Sequence, residues 1–169
     1  MEAKNISLNI RKARGKDYII ASRIMQAAAR RLIKEDRKLW SPKELAPARV
    51  KKYQDNNVLY LVAHKESGKD IGTVCFLWED PDYWPDLAHK EAAYIHRLVI
   101  DHDYSGHGLG RKVLQWAEQK AKDAGRKYMR LDCQKSHPGL IKYYKQAGYT
   151  PHSQKSVNGR VVQRFQKEL

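Results

Sequence analysis

Three glycines fall at alternate positions in "DYSGHGLGRKVL" (103–114), just ahead of a segment patterned as a helix. Glycine is costly to order, so three of them there point to a backbone that side chains would obstruct. The preceding run, "AAYIHRLVI" (92–100), reads as a buried strand, and Val113, Leu114, Ala117 and Ala121 share one face of a helix over 110–124. A strand that turns through glycines into a helix start presents amides without internal partners at the positive end of the helix dipole. That chemistry suits a phosphate, with Ser105 and Arg111 as further donors. The spacing is neither GxxxxGK[ST] nor GxGxxG, which argues against an ATP or GTP P-loop and against a Rossmann site. By itself it serves equally as a plain strand-to-helix connection.

A second stretch, "WEDPDYWPD" (78–86), sets Glu79, Asp80, Asp82 and Asp86 among Trp78, Tyr83 and Trp84. Carboxylates beside aromatic faces suit a cationic amine; a solvated loop whose tryptophans cap the core has the same composition. Cys75 and Cys133 lie in apolar segments far apart, with no CxxC and no Cys/His cluster. Neither zinc nor a disulfide framework is expected, and reduced thiols fit a cytoplasmic protein. "RLDC" reads as a buried strand with nothing nearby to activate a thiol, so Cys133 is expected to be inert.

The elements that must hold these groups follow from periodicity. A strand is expected over 6–13 and a helix over 17–36 with Asp17 as its cap. Ser41, Pro42 and Glu44 signal a helix start within 41–56, which Pro47 interrupts or reshapes. Strands 57–65 and 69–79 form a hairpin, 80–90 a loop, and 127–134 a further strand. A short helix over 138–148 precedes a last hairpin turned at Asn158-Gly159. Hairpins interleaved with helices predict one α/β (α+β) domain over 1–169, with a mixed, mostly antiparallel sheet of six to seven strands flanked by helices.

The totals set the class of partner. Of 169 residues, 33 are Lys or Arg and 19 Asp or Glu, a net +14, while 41% are hydrophobic. This is a globular composition with a preference for anions: nucleic acid, a membrane surface or a polyphosphate ligand, or simply a solvated charged surface. No apolar run approaches a membrane span, and the first residues lack the apolar core of a secretory signal. No RNP-type motif, zinc-finger spacing or single basic recognition helix supports a nucleic-acid module.

The run 98–125 resembles the acetyl-CoA-binding motif of the GCN5-related N-acetyltransferases. The family pattern is Arg or Gln, two residues, Gly, one residue, then Gly or Ala; here those places hold Ser105, Gly106-His107, Gly108, Leu109 and Gly110. Ser105 departs from the pattern and lacks a long arm. "YYKQAGY" (143–149) is similar to the family's Tyr-x-x-x-Gly-Phe/Tyr segment through Tyr144, Gly148 and Tyr149. The order of elements agrees along essentially the whole chain.

The resemblance implies a GNAT-like acyl-CoA N-acyltransferase fold and an enzyme that moves acetyl from acetyl-CoA to a primary amine by direct attack in a ternary complex. The amine belongs to a small molecule or a peptide. Coenzyme A would place its pyrophosphate on the amides of His107, Gly108, Leu109, Gly110 and Arg111, with Ser105 and Gly106 also among the cofactor-binding residues. Its pantetheine would run along Leu98, Val99 and Ile100, where family members splay the neighbouring strand. Arg111, Lys112, Lys142 and Lys145 are candidates for the 3′-phosphate. Tyr144 would protonate the leaving thiolate and contact the cofactor, and the amide near Leu98 would polarise the thioester carbonyl. His96 or Glu91 would serve as the base, unless ordered water does. Trp78, Glu79, Asp80, Asp82, Tyr83 and Trp84, with segment 30–42, would form the acceptor site. No metal, membrane or nucleic-acid partner is implied, and a homodimer is compatible. The alternatives are a coenzyme-A-binding regulatory domain without catalysis and a basic nucleic-acid-binding module.

Overall fold

The computed structural model describes residues 5–87 and 89–169, so residues 1–4 of the expected domain and Ala88 of the expected loop lie outside the described residues. Among the described residues seven strands and four α-helices follow in the order β1 (Leu8–Lys12), α1 (Asp17–Lys34), α2 (Pro47–Asp55), β2 (Leu59–His64), β3 (Asp70–Leu77), β4 (Ala92–Ile100), α3 (Leu109–Asp123), β5 (Tyr128–Gln134), α4 (Pro138–Gln146), β6 (Thr150–Val157) and β7 (Arg160–Glu168). The strands are hydrogen-bonded in the order β1-β2-β3-β4-β5-β7-β6. The β1–β2, β2–β3, β5–β7 and β6–β7 pairs are antiparallel, and β4–β5 is parallel. The mixed, mostly antiparallel sheet expected from the hairpins is therefore present, with seven strands. Contacts group the chain into two compact units: residues up to Cys75 with Arg97–Leu114, and Phe76–His96 with Gln115–Leu169.

In the first unit, α1 buries Ala21, Met25, Ala29 and Leu32, a helical stripe that needs no polar partner. Asp17 is not its cap. Lys16 holds that position, while the Asp17 carboxylate accepts from the Arg14 amide and from Arg11, which also reaches Asp70. Pro47 divides the expected helix over 41–56. Ser41 and Glu44 form a reciprocal capping box on a single 3₁₀ turn, Pro42–Leu45, and α2 then starts at Pro47, whose missing amide costs nothing at a first helical position. Leu45, Val50, Leu59, Leu61, Val62, Ile71 and Val74 are fully buried in this unit. Gly72 lets β3 approach the end of β4: a Cβ there would lie 2.6 Å from the Val99 carbonyl oxygen.

In the second unit, β6 and β7 turn at Asn158 and Gly159, whose φ angles of 50° and 75° suit a type I′ hairpin. The loop after β3 exposes Glu79, Asp82 and Asp86 but is anchored in the core by Trp84. Trp84 is fully buried against Ala92 and Tyr94, with the guanidinium carbons of Arg164 and Arg130 at 4.6 and 5.2 Å from its ring centroid. Arg164 also donates to both Asp86 oxygens, at 2.7 and 3.0 Å, and to the Tyr83 carbonyl at 3.1 Å. The parallel β4–β5 ladder covers three residue pairs, Ala92↔Tyr128 to Tyr94↔Arg130, against seven in the β5–β7 ladder. Among the described residues no helix is long and apolar enough to cross a membrane.

Candidate active site

The glycine segment lies in the first unit, and its backbone explains its composition. The Asp101 amide donates to the Ile71 carbonyl at 2.7 Å, and Asp101 Oδ1 accepts from the Asp103 amide at 3.0 Å. These bonds fix where β4 ends and the chain turns. The Ser105 amide donates to the His102 carbonyl at 3.0 Å, and the next backbone bond is Lys112 to the Gly108 carbonyl at 3.2 Å. Between them, the amides of Gly106, His107, Gly108, Leu109, Gly110 and Arg111 find no acceptor among the described residues. Gly106 and Gly108 have φ angles of 80° and 68°, and a Cβ at either would meet no atom within 4 Å. Their absent side chains therefore serve backbone shape, and they leave open space over the free amides. Gly110 lies within the first turn of α3, where it adds a free amide. Buried Leu109, Val113 and Leu114 anchor the helix start.

The side chains that the sequence offers for the phosphates differ in availability. Ser105, His107 and Arg111 are exposed, and Arg111 has no ion-pair partner among the described residues. The Lys112 ammonium donates to Asn5 Oδ1 at 2.9 Å and the Ile6 carbonyl at 2.7 Å, both neutral acceptors, so these bonds fix its position without neutralising its charge. In the second unit, exposed Lys142 and Lys145 border a shallow depression of about 480 Å³ with Pro138, Ile141 and Gln146. On β4, Val99 is buried, and Leu98 and Ile100 are half-buried.

β4 holds an irregularity that its sequence did not announce. Arg97 has φ 53°, a left-handed conformation inside a strand, and its carbonyl accepts from the Thr73 hydroxyl at 2.9 Å. Regular alternation does not pass through such a residue, so the argument that puts His96 on one face with Leu98 and Ile100 fails.

His96 belongs instead to a polar cluster of the second unit. Its Nε2 lies 2.6 Å from Asp80 Oδ2 and its Nδ1 3.7 Å from Asp132 Oδ2, and Tyr83 stacks at 4.8 Å between ring centroids. Asp80, only 3% exposed, also accepts from the Tyr83 amide at 3.3 Å. A carboxylate on Nε2 requires the proton there, which makes Nδ1 the basic nitrogen of the neutral ring. Asp80 is thus a partner of His96 rather than an open acceptor-site carboxylate, and Asp132 joins a cluster it was not expected in. Ligand atoms of these three side chains lie within 4.8 Å of one another, the spacing of a metal set. The 2.6 Å separation is nevertheless that of a hydrogen bond, since two ligands of one tetrahedral zinc sit roughly 3.4 Å apart. Glu91, the other candidate base, is half-exposed and lies 3.4 Å from buried Arg130. Of the loop carboxylates, Glu79 and Asp82 are exposed.

Tyr144 sits on α4 among Tyr143, Tyr149 and Phe165, with ring centroids 5.3, 6.2 and 5.9 Å away. Burial, then nearby Cys133, raises its phenol well above the ordinary value, and its hydroxyl has no hydrogen-bond partner among the described residues. Gly148 (φ 92°) ends the helix, and Tyr149 is buried with its hydroxyl on Glu118 at 2.9 Å. The motif's glycine and second tyrosine therefore build the helix end that carries Tyr144. Burial pushes the Cys133 and Cys75 thiols up to about 12, so both are protonated at neutral pH and neither is a nucleophile.

A mixed sheet with a glycine-turned helix start after its fourth strand defines an acyl-CoA transferase class of fold. The sequence matches the model of the Acetyltransferase (GNAT) family over residues 22–149. The chain belongs to the GNAT acetyltransferase family. It is 39% identical over 70 residues, 41% of its length, to the uncharacterized N-acetyltransferase YesJ of Bacillus subtilis (strain 168). It spans about two fifths of that relative's own length, 39%. A crystal structure of a GNAT family acetyltransferase from Listeria monocytogenes superposes with a TM-score of 0.82 at 24% identity, covering 100% of this chain and 99% of the other. Aminoglycoside acetyltransferase AAC(6')-Ib in complex with coenzyme A gives 0.75 at 16% identity, covering 96% and 95%. At these identities the two structures speak for the fold.

Proposed function

We propose that the chain acts as a single catalytic domain, an acetyl-CoA-dependent N-acetyltransferase that acetylates a primary amine. Six consecutive amides without acceptors, over residues 106–111, carry the reading: a family member offers a diphosphate-sized run of donors with open space above it. Arg111 and Lys112 would add positive charge for the remaining phosphate, and backbone groups of Leu98 and Ile100 would pair with the pantetheine. Bound acetyl-CoA supplies the activated acetyl group and a thiolate leaving group.

The protein's own groups do the rest. His96 Nδ1 takes a proton from the acceptor ammonium, and the imidazolium so formed is stabilised by Asp80 and Asp132. The Leu98 amide polarises the carbonyl as an oxyanion-type donor. The Tyr144 hydroxyl would supply the proton the leaving thiolate needs and would be reprotonated by the second proton that the nitrogen sheds as the amide forms. Reduced, buried cysteines suit a cytoplasmic setting. The test is titration of the full chain with coenzyme A by calorimetry, followed by mass spectrometry of amine mixtures incubated with acetyl-CoA. Micromolar binding and an acetylated amine are expected; absence of coenzyme A binding removes the proposal.

A further inference from the structure

We infer that the Arg97 guanidinium is the anion-binding group of the acceptor site, and that the acceptor is an amine carrying a carboxylate or similar oxyanion. The inference rests on the acetyltransferase reading above. Arg97 directly precedes Leu98, whose amide that reading places at the thioester.

Its conformation is the first observation. A left-handed, non-glycine residue within a strand is strained and persists only when its surroundings enforce it. Here fully buried Thr73 does so through its hydroxyl on the Arg97 carbonyl. The side chain is held too. Its guanidinium carbon lies 5.0 Å from the Trp40 ring centroid and 6.0 Å from that of Tyr53, and Nη2 donates to the Tyr53 hydroxyl at 3.3 Å. Trp40 lies between α1 and α2, in the segment 30–42 that the sequence assigned to the acceptor, and Tyr53 lies on α2.

The second observation is the missing counter-charge. Arg11 has Asp17 and Asp70, Arg130 has Glu91, and Arg164 has Asp86. Half-buried Arg97 has no carboxylate within 4.0 Å among the described residues. A guanidinium stacked on aromatic faces keeps its N–H edge for a bidentate oxyanion. One of its five donors is spent on Tyr53, which leaves four. The opposing idea, a cationic acceptor drawn by the loop 78–86, has lost two of its carboxylates to His96 and Arg164.

The experiment compares matched acceptors on the full chain: L-α-amino acids against their amides, and ω-amino acids against the corresponding amino alcohols. We expect the acids to show at least tenfold higher kcat/KM. Arg97→Gln should abolish that preference through acceptor KM while coenzyme A affinity stays within twofold; Arg97→Lys should recover it in part. Thermal shifts of the coenzyme A complex with the same acids supply a binding readout that needs no turnover. Amides or amino alcohols that match or exceed the acids overturn the inference, as does the lack of any Arg97-dependent shift. An effect of Arg97→Gln on coenzyme A affinity alone overturns it by assigning the anion to a cofactor phosphate. The wild-type acid-to-amide ratio stands even if the variants fail to fold. Failure of coenzyme A to bind wild type refutes the acetyltransferase reading instead.

Discussion

Gly108→Ala separates what the glycine segment does for the protein from what it does for a ligand. At φ 68° an alanine is strained, but its Cβ would meet no protein atom within 4 Å. The folded state should lose only the left-handed backbone term, roughly 1 kcal/mol, or about 2–4 °C in Tm for a chain of this size. Gly68→Ala is the matched control, with φ 71° and an equally open Cβ position, in the turn between β2 and β3. Both variants should show the same small loss of stability in calorimetric melts. Only Gly108→Ala puts a methyl group where a diphosphate approaches the free amides. Its coenzyme A Kd should rise at least tenfold, about 1.4 kcal/mol, while that of Gly68→Ala stays at the wild-type value. Equal Kd values for all three proteins would refute the claim that the open space over residues 106–111 belongs to the cofactor.

Tyr144→Phe should lower kcat by roughly 10- to 100-fold, measured by steady-state kinetics, with Tm nearly unchanged because the hydroxyl has no partner among the described residues. Asp80→Asn should reduce kcat/KM and distort the acidic limb of its pH profile, since an amide no longer fixes the proton on His96 Nε2; an unaltered profile would remove His96 as the base. Arg164 holds the Asp86 carboxyl well below its ordinary value, by hydrogen bonding first. A depressed carboxyl stabilises the fold above its unfolded value, near 3.9, and that stability fades as the pH falls through it. Asp86→Asn should therefore destabilise the protein at pH 7, because buried Arg164 loses its carboxylate even though Asp86 itself is half-exposed, and the deficit should close on acidification below about pH 4 in melts.

Most of the fold was legible because it rests on local patterning. The Ser41–Glu44 box and the Asn158-Gly159 turn each carry their instructions within a few residues; α1 was legible as a helix, but the face it buries, Ala21, Met25, Ala29 and Leu32, is not the Ile20, Ile24, Ala27, Ala28 and Leu32 face that its spacing suggests. The glycine segment was legible for the same reason, since an unpaired helix start is a local property. What escaped depends on contacts between residues distant in sequence. Asp80 reads as one more acid in a polar loop until His96, sixteen residues on, claims it. Trp84 stays open in the sequence between an acceptor-site aromatic and a cap on the core until Arg130 and Arg164 close on its ring. The left-handed Arg97 defeats strand alternation and depends on Thr73, in another strand. Weak signals existed: His96, Arg97 and Asp132 are polar residues in otherwise apolar strands. A charge there asks for a partner, although the sequence does not say which.

The state of the two sulfhydryls bears on how activity can be followed. Both are buried and hold their protons at neutral pH, so a disulfide reagent that colours on meeting a thiolate should react with liberated coenzyme A long before it reaches Cys75 or Cys133. The native enzyme can be monitored continuously by that chromophore with little background of its own. Any slow rise in colour without acceptor would then report opening of the core.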